Sequence, residues 1–338
     1  MQTIILNKPG EFSLCDTPEP QAPSEGEALV RIRNIGICGT DLHAYQGNQP
    51  FFEYPRILGH ELSAEVVEPN GNRGLKAGMP VVVDPYLSCG SCVACRRGRT
   101  NCCQSLELFG VHIDGGMREY LNVPVENLLP AEGLSMEQMA TVECLNIGAH
   151  AVRRAELGPG ETVAVVGTGP IGIGVIHFAK IAGARVIAVD INEGRLDYCR
   201  DVLKVDAVVN ALDHPIEALQ ELTQGDKPTS VFEVTGNKVS MENSFEYVSH
   251  GGQLILVGLV KDSLRFDDPY FHKHEMSLKS SRNGTKEDLQ LVIDSIRDGK
   301  VDTENFITHR CSFNEMIGQF DSWLLPETGV IKAMVEIA

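Results

Sequence analysis

A glycine-rich turn between two apolar segments constrains the fold of this chain more than any other feature of its 338 residues. Residues 163–166 form a continuous run of Val and Ala, which is typical of a strand in a parallel sheet covered on both faces. The turn at residues 167–172 follows, then an apolar helical stretch, and then a second apolar run that ends at Asp190. The G-x-G-x-x-G pattern alone is a weak signal. The order strand, turn, helix, strand and acidic residue predicts a dinucleotide-binding α/β domain.

The same segment predicts which cofactor is bound. Glycines let the backbone approach a pyrophosphate at a helix N-terminus, where the amide dipoles favour anions. Asp190 can accept hydrogen bonds from the adenosine ribose hydroxyls and would repel a 2'-phosphate, so we expect NAD rather than NADP. The residues predicted to bind the cofactor at this turn are Gly167, Gly169, Pro170, Ile171 and Gly172.

A cluster of cysteines predicts a structural metal site. Five of the ten cysteines lie between Cys89 and Cys103, and four thiolates within fifteen residues close the coordination sphere of a zinc ion. Chance clustering or disulfides are the alternatives to metal here. Cys102 and Cys103 are adjacent, and both cannot easily face one ion.

A second metal site is predicted in residues 36–61, which bring a thiol, an imidazole and a carboxylate into one loop through Cys38, His60 and Glu61. Zinc accepts S, N and O ligands and, when catalytic, keeps one position open for water or substrate. Thr40 and His43 lie close enough to Cys38 in sequence to serve as a hydroxyl and a base beside that position. A buried Cys and a surface His are the alternative interpretation.

The pattern Gly-Ile-Cys-Gly-Thr-Asp-x-His at residues 36–43, followed by Gly-His-Glu at 59–61, resembles the zinc-dependent medium-chain alcohol dehydrogenases, in their sorbitol and sugar-acid branch. The resemblance extends over the whole chain. It implies an α/β fold of two domains, a GroES-like β-barrel catalytic domain and a Rossmann domain with a doubly wound parallel sheet. The catalytic domain would span 1–150 with 286–338 returning to it, and the NAD-binding domain would span 151–285.

The resemblance also assigns roles to single residues. The structural zinc would be held by Cys89, Cys92, Cys95 and Cys103, and the catalytic zinc by Cys38 and His60 with a carboxylate from Glu61 or Glu143. Cys144 stands where the branch has proline, so the thiol next to Glu143 is an alternative donor. Thr40 and His43 would move the proton, and Asp41 would orient His60. Further cofactor contacts would be Arg195, Val257, Gly258 and Leu259.

Composition excludes several other functions. A formal net charge of -17 opposes binding to nucleic acid and anionic lipids, and no apolar run approaches the roughly 18 residues of a membrane span. We therefore expect a cytoplasmic enzyme with a small-molecule substrate. Similarity to the family implies a homodimer or homotetramer.

The substrate expectation rests on further resemblance to the aldonate-oxidising members of the branch. It implies a six-carbon aldonate of the L-galactonate or L-gulonate type, oxidised at its fifth carbon to a ketone. A substrate carboxylate requires a cation, and the candidates are Arg282, Arg56, His112 and Lys273. The alternatives are a neutral polyol such as sorbitol as the substrate, and a zinc-free or non-catalytic relative with the same fold.

Overall fold

The computed structural model describes residues 1–49, 52–70 and 74–337, and the chain divides into two compact units. Unit 1 comprises Met1–Glu143 and Thr285–Ala338, and unit 2 comprises Cys144–Gly284. The division falls at the start of helix Val142–Ala155, so the boundary expected at residue 150 lies inside that helix.

Unit 1 is built around a seven-stranded, mostly antiparallel sheet. Its longest strand, Glu27–Ile37, forms because buried residues alternate with partly exposed ones, as at Ala28, Val30 and Ile32. Along the sheet the strands run Ile307–Ser312, Lys332–Glu336, Glu27–Ile37, Glu61–Glu68, Pro80–Val83 and Leu128–Pro130, and Tyr120–Pro124 also pairs with Glu27–Ile37. The last two strands of the chain therefore complete the sheet begun by its first forty residues.

Strand register in this sheet places the predicted catalytic residues together. Glu27–Ile37 and Glu61–Glu68 are antiparallel, and Gly36 lies opposite Glu61. Cys38 follows the first strand, and His60 directly precedes the second. Antiparallel pairing thus brings the beginning and the end of the 36–61 segment to one place.

The other elements of unit 1 are short, except for helix Lys286–Arg297. The strands are Gln2–Lys8, Glu11–Asp16, Tyr86–Leu87 and Glu107–Leu108, and the α-helices are Gly39–Tyr45, Val93–Arg96, Met136–Ala140, Lys286–Arg297 and Met316–Phe320. Single 3-10 turns occur at Thr100–Cys102, Val125–Asn127, Asp321–Leu324 and Pro326–Thr328.

Unit 2 contains the predicted parallel sheet, which is confirmed. Its six strands are all parallel, in the order Ala207–Asn210, Arg185–Asp190, Thr162–Val166, Ser230–Glu233, Gln253–Leu256 and Ser277–Ser280. The helices are Pro170–Ile181, Glu193–Asp201, Pro215–Leu222, Lys238–Asn243 and Asp268–Lys273, with a 3-10 turn at Ser244–Tyr247. Central strand residues such as Val165 and Ile187 are fully buried, which is why these strands read as unbroken apolar runs.

Among the residues that the structure describes, no helix is both long enough and apolar enough to span a bilayer.

Candidate active site and metal centres

Three of the four residues predicted to bind the catalytic metal converge. One ligand atom from each of Cys38, His60 and Glu61 lies within 4.8 Å of the other two. Cys38 is half-buried at the N-cap of helix Gly39–Tyr45, and the side chains of His60 and Glu61 are buried. This is a compact S, N, O donor set of the kind that zinc accepts.

Asp41 lies against His60. The Asp41 Oδ2 atom accepts a hydrogen bond from the Cys38 amide at 2.9 Å, and its Oδ1 atom is 3.8 Å from His60 Nδ1. Burial raises the pKa of Asp41, while the charge of His60 opposes that effect. Burial lowers the pKa of His60, but the negative charges of Asp41 and Cys38 outweigh it and raise that pKa well above its ordinary value. At 3.8 Å this contact is longer than a hydrogen bond, so the role of Asp41 in orienting His60 stays a prediction.

Glu61 has a buried partner that was not predicted from the sequence. Lys332 Nζ donates to both Glu61 carboxylate oxygens at 2.7 Å, and the two side chains are 1% and 0% exposed. A Cβ atom at Gly36 would overlap the Glu61 carboxylate, so glycine is needed there to leave room for it. The sequence signal for this ion pair is the lysine within the apolar run 330–335, because a charged side chain buried in such a run requires a buried counterion.

Glu143 is placed differently from Glu61. The Tyr86 hydroxyl donates a hydrogen bond to Glu143 Oε1, and both side chains are buried. Burial, aided by the charge of Glu61, raises the pKa of Glu143, whereas His60 and Tyr86 oppose that shift. Glu143 does not belong to the group of Cys38, His60 and Glu61, whose ligand atoms lie within 4.8 Å of one another, although its charge helps to raise the pKa of His60. Cys144, the alternative donor, is also buried.

The predicted proton-transfer residues lie on the helix that begins after Cys38. Thr40 is half-buried and His43 is exposed, both within helix Gly39–Tyr45. A half-buried hydroxyl followed by an exposed imidazole is a suitable order for passing a proton to solvent.

The charge of this pocket fits a divalent cation. The acidic groups of Cys38, Asp41 and Glu143 act on His60, and the Lys332 ammonium pairs with a fourth acidic group, that of Glu61. Both Asp41 Oδ1 and His60 Nδ1 have no hydrogen-bond partner among the described residues. Uncompensated buried charge is costly, and a dication bound by Cys38 and His60 would offset it.

The cysteine cluster also has the geometry of a metal site. The Sγ atoms of four cysteines all lie within 4.8 Å of one another, and those of Cys92 and Cys95 are 3.5 Å apart. Tetrahedral Zn–S bonds of about 2.3 Å place sulfurs roughly 3.8 Å apart, so the arrangement suits zinc. The four are Cys89, Cys92, Cys95 and Cys103. Cys102 is exposed and is not a member of this group.

The glycine-rich turn precedes helix Pro170–Ile181, with Gly169 as its N-cap. A Cβ atom at Gly172 would overlap the carbonyl oxygen of Gly167, so the turn can only close this tightly with glycine at position 172. The turn therefore leaves backbone amides at the start of a three-turn helix, which is the arrangement that favours a pyrophosphate.

Asp190 is positioned by four hydrogen bonds at the end of its strand. Its Oδ2 accepts from the amide and the hydroxyl of Thr168, both at 2.7 Å, and its Oδ1 accepts from the amides of Ile191 and Asn192. Thr168 was not predicted as a site residue, although it lies inside the turn. Arg195 is exposed, and its guanidinium lies beside the glycine-rich turn: Nη1 would be 3.8 Å from a Cβ atom placed on Gly169.

The other predicted cofactor contacts follow strand Gln253–Leu256. The amides of Val257 and Gly258 donate to the Glu233 carbonyl, and the Leu259 side chain is 80% exposed. These residues lie at the carboxyl end of the parallel sheet, as does Asp190, and ligands bind at that end in such sheets.

The four candidate substrate cations fall into two groups. Arg56 and His112 belong to unit 1, whereas Lys273 and Arg282 belong to unit 2. Arg56 is largely buried and pairs with Asp114 at 3.3 Å, which makes it the poorest candidate for a free carboxylate. The other three are exposed.

Both units of the chain resemble known proteins. Residues 24–133 match the family model for the alcohol dehydrogenase GroES-like domain, and residues 170–298 match that for zinc-binding dehydrogenases. L-galactonate-5-dehydrogenase of Escherichia coli K12 is 40% identical over 99% of this chain and 98% of its own length. The 2-dehydro-3-deoxy-L-galactonate 5-dehydrogenase of Pseudoalteromonas atlantica is 33% identical over 85% of each chain. The crystal structure of RspB from Escherichia coli CFT073 with NADH superposes with a TM-score of 0.92, at 28% identity over 99% of each chain.

Proposed function

Since the chain belongs to the zinc-dependent medium-chain alcohol dehydrogenases, we propose that it oxidises the fifth-carbon hydroxyl of a six-carbon sugar acid to a ketone, with NAD as the hydride acceptor. Membership makes the chain an oxidoreductase acting on CH-OH groups. The observation that carries the finer proposal is the near full-length similarity to L-galactonate-5-dehydrogenase.

Zinc, when bound, would act as a Lewis acid toward the substrate hydroxyl, and NAD would accept the hydride from the same carbon. Cys38 and His60 would hold the zinc, with Asp41 fixing the orientation of the His60 ring. Thr40 would receive the hydroxyl proton, and His43, which is exposed on the same helix, would release it to solvent.

The cofactor would bind to unit 2. The turn at residues 167–172 would take the pyrophosphate, and Asp190 would accept hydrogen bonds from the adenosine ribose hydroxyls. A carboxylate at this position disfavours a 2'-phosphate, and RspB, a relative in fold, was solved with NADH. Both observations support NAD for this chain.

Recognition of a sugar acid requires a cation for its carboxylate. Arg282 is the preferred candidate because a planar guanidinium binds a carboxylate through two hydrogen bonds, and His112 and Lys273 follow. Arg56 ranks last, since its guanidinium already pairs with Asp114.

Initial rates of NAD reduction with a panel of L-galactonate, L-gulonate, galactitol and sorbitol test this proposal. We expect a higher kcat/KM for an aldonate than for either alditol. We also expect Arg282→Ala to raise the KM for the aldonate by roughly tenfold or more, because a charge-assisted pair is lost, and to leave the alditols unaffected. Arg200→Ala is the matched control, since Arg200 is exposed in the same unit and pairs with Asp197 on its own helix. Faster turnover of the alditols would contradict a sugar-acid substrate.

A further inference from the structure

We propose that Glu233 is a positioning residue of the cofactor site, which joins the glycine-rich turn at residues 167–172 to the segment 257–259. This inference rests on the proposed function, since it takes the cofactor to bind both segments. Glu233 is the last residue of strand Ser230–Glu233, at the carboxyl end of the parallel sheet, and its side chain is fully buried. A carboxyl group is seldom buried unless it is hydrogen-bonded, so its partners indicate what it holds in place.

The carboxyl group of Glu233 holds the turn that follows its own strand. Its Oε1 atom accepts hydrogen bonds from the amide and the hydroxyl of Thr235 and, at 2.9 Å, from the Ser240 hydroxyl. The Thr235 hydroxyl oxygen accepts from the Asn237 amide at 2.9 Å, and the Asn237 side chain caps helix Lys238–Asn243. One buried oxygen therefore fixes the path of the chain from the end of the strand into the next helix.

The threonine that Glu233 holds packs against the glycine-rich turn. A Cβ atom placed on Gly167 would lie 2.8 Å from Thr235 Cγ2 and 3.1 Å from the Thr235 amide nitrogen. These contacts are so close that a movement of Thr235 would reach the turn. The position of Thr235, and through it the carboxyl group of Glu233, therefore bears on the backbone expected to bind the pyrophosphate.

The segment 257–259 contacts Glu233 through both its backbone and its side chain. The Glu233 carbonyl accepts hydrogen bonds from the amides of Val257 at 2.8 Å and Gly258 at 2.9 Å. A Cβ atom placed on Gly258 would lie 3.1 Å from Glu233 Oε2 and 2.3 Å from the amide nitrogen of Gly236. Glu233 and the turn that it holds thus pack directly against the second set of predicted cofactor contacts.

This positioning role does not depend on the charge of Glu233. Burial raises the pKa of Glu233, and the hydrogen bonds from Thr235 and Ser240 oppose that shift. A carboxyl oxygen accepts hydrogen bonds in the ionised state, and the carbonyl oxygen of the protonated acid does so too. An uncharged amide with the same shape should therefore serve in its place.

Equilibrium binding of NADH, followed by the change in its fluorescence, tests the inference without substrate or turnover. Glu233→Met removes the acceptor and keeps a side chain of similar length. We expect it to raise the Kd for NADH by roughly tenfold, the equivalent of one hydrogen bond. Glu233→Gln keeps an acceptor oxygen and should bind NADH as tightly as the unmodified enzyme.

AMP distinguishes positioning from a general loss of structure. It carries the adenosine that Asp190 is expected to bind, but it has neither the pyrophosphate nor the nicotinamide. The Kd for AMP, measured by calorimetry, should therefore be the same in Glu233→Met and in the unmodified enzyme. An equal loss of affinity for AMP and for NADH would overturn the inference.

A pair of serine variants provides a second test that does not depend on the folding of Glu233→Met. Ser240→Ala removes one hydrogen bond to Glu233 and should raise the Kd for NADH about threefold, near the lower end of the range for one bond. Ser244→Ala is the matched control, because Ser244 is buried and donates to the Ser240 carbonyl at 2.8 Å, so its Kd should stay unchanged.

Two results distinguish a failure of this inference from a failure of the proposed function. If Glu233→Met and Ser240→Ala both bind NADH with the Kd of the unmodified enzyme, the positioning role is refuted while NAD binding stands. If the unmodified enzyme does not bind NADH, the proposed function fails instead.

Discussion

Replacing Asp190 with alanine is expected to weaken NAD binding and to reduce the preference for NAD over NADP. In the structure the carboxylate lies at the end of its strand, oriented by the Thr168, Ile191 and Asn192 amides and the Thr168 hydroxyl. Hydrogen bonds to a charged group contribute about 1.5–3 kcal/mol each. Loss of two such bonds to the ribose hydroxyls would cost about 3 kcal/mol or more, which is roughly a hundredfold in affinity.

The same substitution removes an unfavourable interaction with NADP. A carboxylate and a 2'-phosphate about 4 Å apart repel each other by up to about 4 kcal/mol at an effective dielectric constant of 20. The ratio of kcat/KM for NAD to that for NADP should therefore fall at least about a hundredfold. Steady-state kinetics with both cofactors measure this ratio.

Asp197→Ala is the matched control, because Asp197 is exposed on the following helix and pairs with Arg200 on that same helix. It removes the same charge without touching the predicted ribose site, so the cofactor ratio should stay unchanged. An unmodified enzyme that prefers NADP, or an Asp190→Ala variant with an unaltered ratio, would refute the role of Asp190.

Three further predictions concern the metals, the turn and a buried acid. Mild chelation should abolish activity before the protein unfolds, because the Cys38 site has fewer protein ligands than the four-thiolate site. Metal analysis and thermal denaturation measure the two events, and simultaneous loss of both metals together with melting would contradict this prediction. Gly172→Ala should lower thermal stability and NAD affinity because its Cβ atom would overlap the Gly167 carbonyl, whereas Gly169→Ala meets only the Arg195 guanidinium and should keep its melting temperature. Burial raises the pKa of Asp84 to about 7, so its ionisation should destabilise the folded state as pH rises from about 4 through 7. The free energy of unfolding of Asp84→Asn, measured by urea denaturation, should therefore rise relative to that of the unmodified protein between pH 5 and pH 8, by up to roughly 4 kcal/mol. If the two proteins differ in free energy of unfolding by the same amount at pH 5 and at pH 8, this effect is excluded.

The parts of the molecule that could be predicted from the sequence are those encoded by neighbouring residues. The four cysteines from Cys89 to Cys103 lie within one short loop, so their spacing alone indicates a metal site. The strand, turn and helix around Gly167 are likewise contiguous, and the parallel sheet that they predict is present.

Other parts depend on strand pairing that local sequence does not specify. Cys38 and Glu61 come together because Gly36 lies opposite Glu61 in an antiparallel pair, and a one-residue shift in register would separate them. Lys332 reaches Glu61 across 271 positions of sequence, through a strand that returns to the first sheet only at the end of the chain. A single sequence shows that this lysine is unusual in an apolar strand, but not which acid it contacts.

The end of a strand is also not marked by the hydrophobic pattern. Residues 253–259 are mostly apolar, which by itself predicts one strand, yet the strand ends at Leu256, where the amides of Val257 and Gly258 donate to the Glu233 carbonyl. The hydrophobic pattern continues past this point and does not mark the turn.

Transfer of deuterium from the substrate to the cofactor tests the central claim most directly. The enzyme would be given L-galactonate deuterated only at its fifth carbon together with NAD, and the reduced nicotinamide would be analysed by mass spectrometry. The proposed reaction predicts one deuterium in the NADH and a keto acid that lacks it. NADH without deuterium, formed while the sugar acid is consumed, would show that hydride leaves from another carbon and would contradict the proposed function.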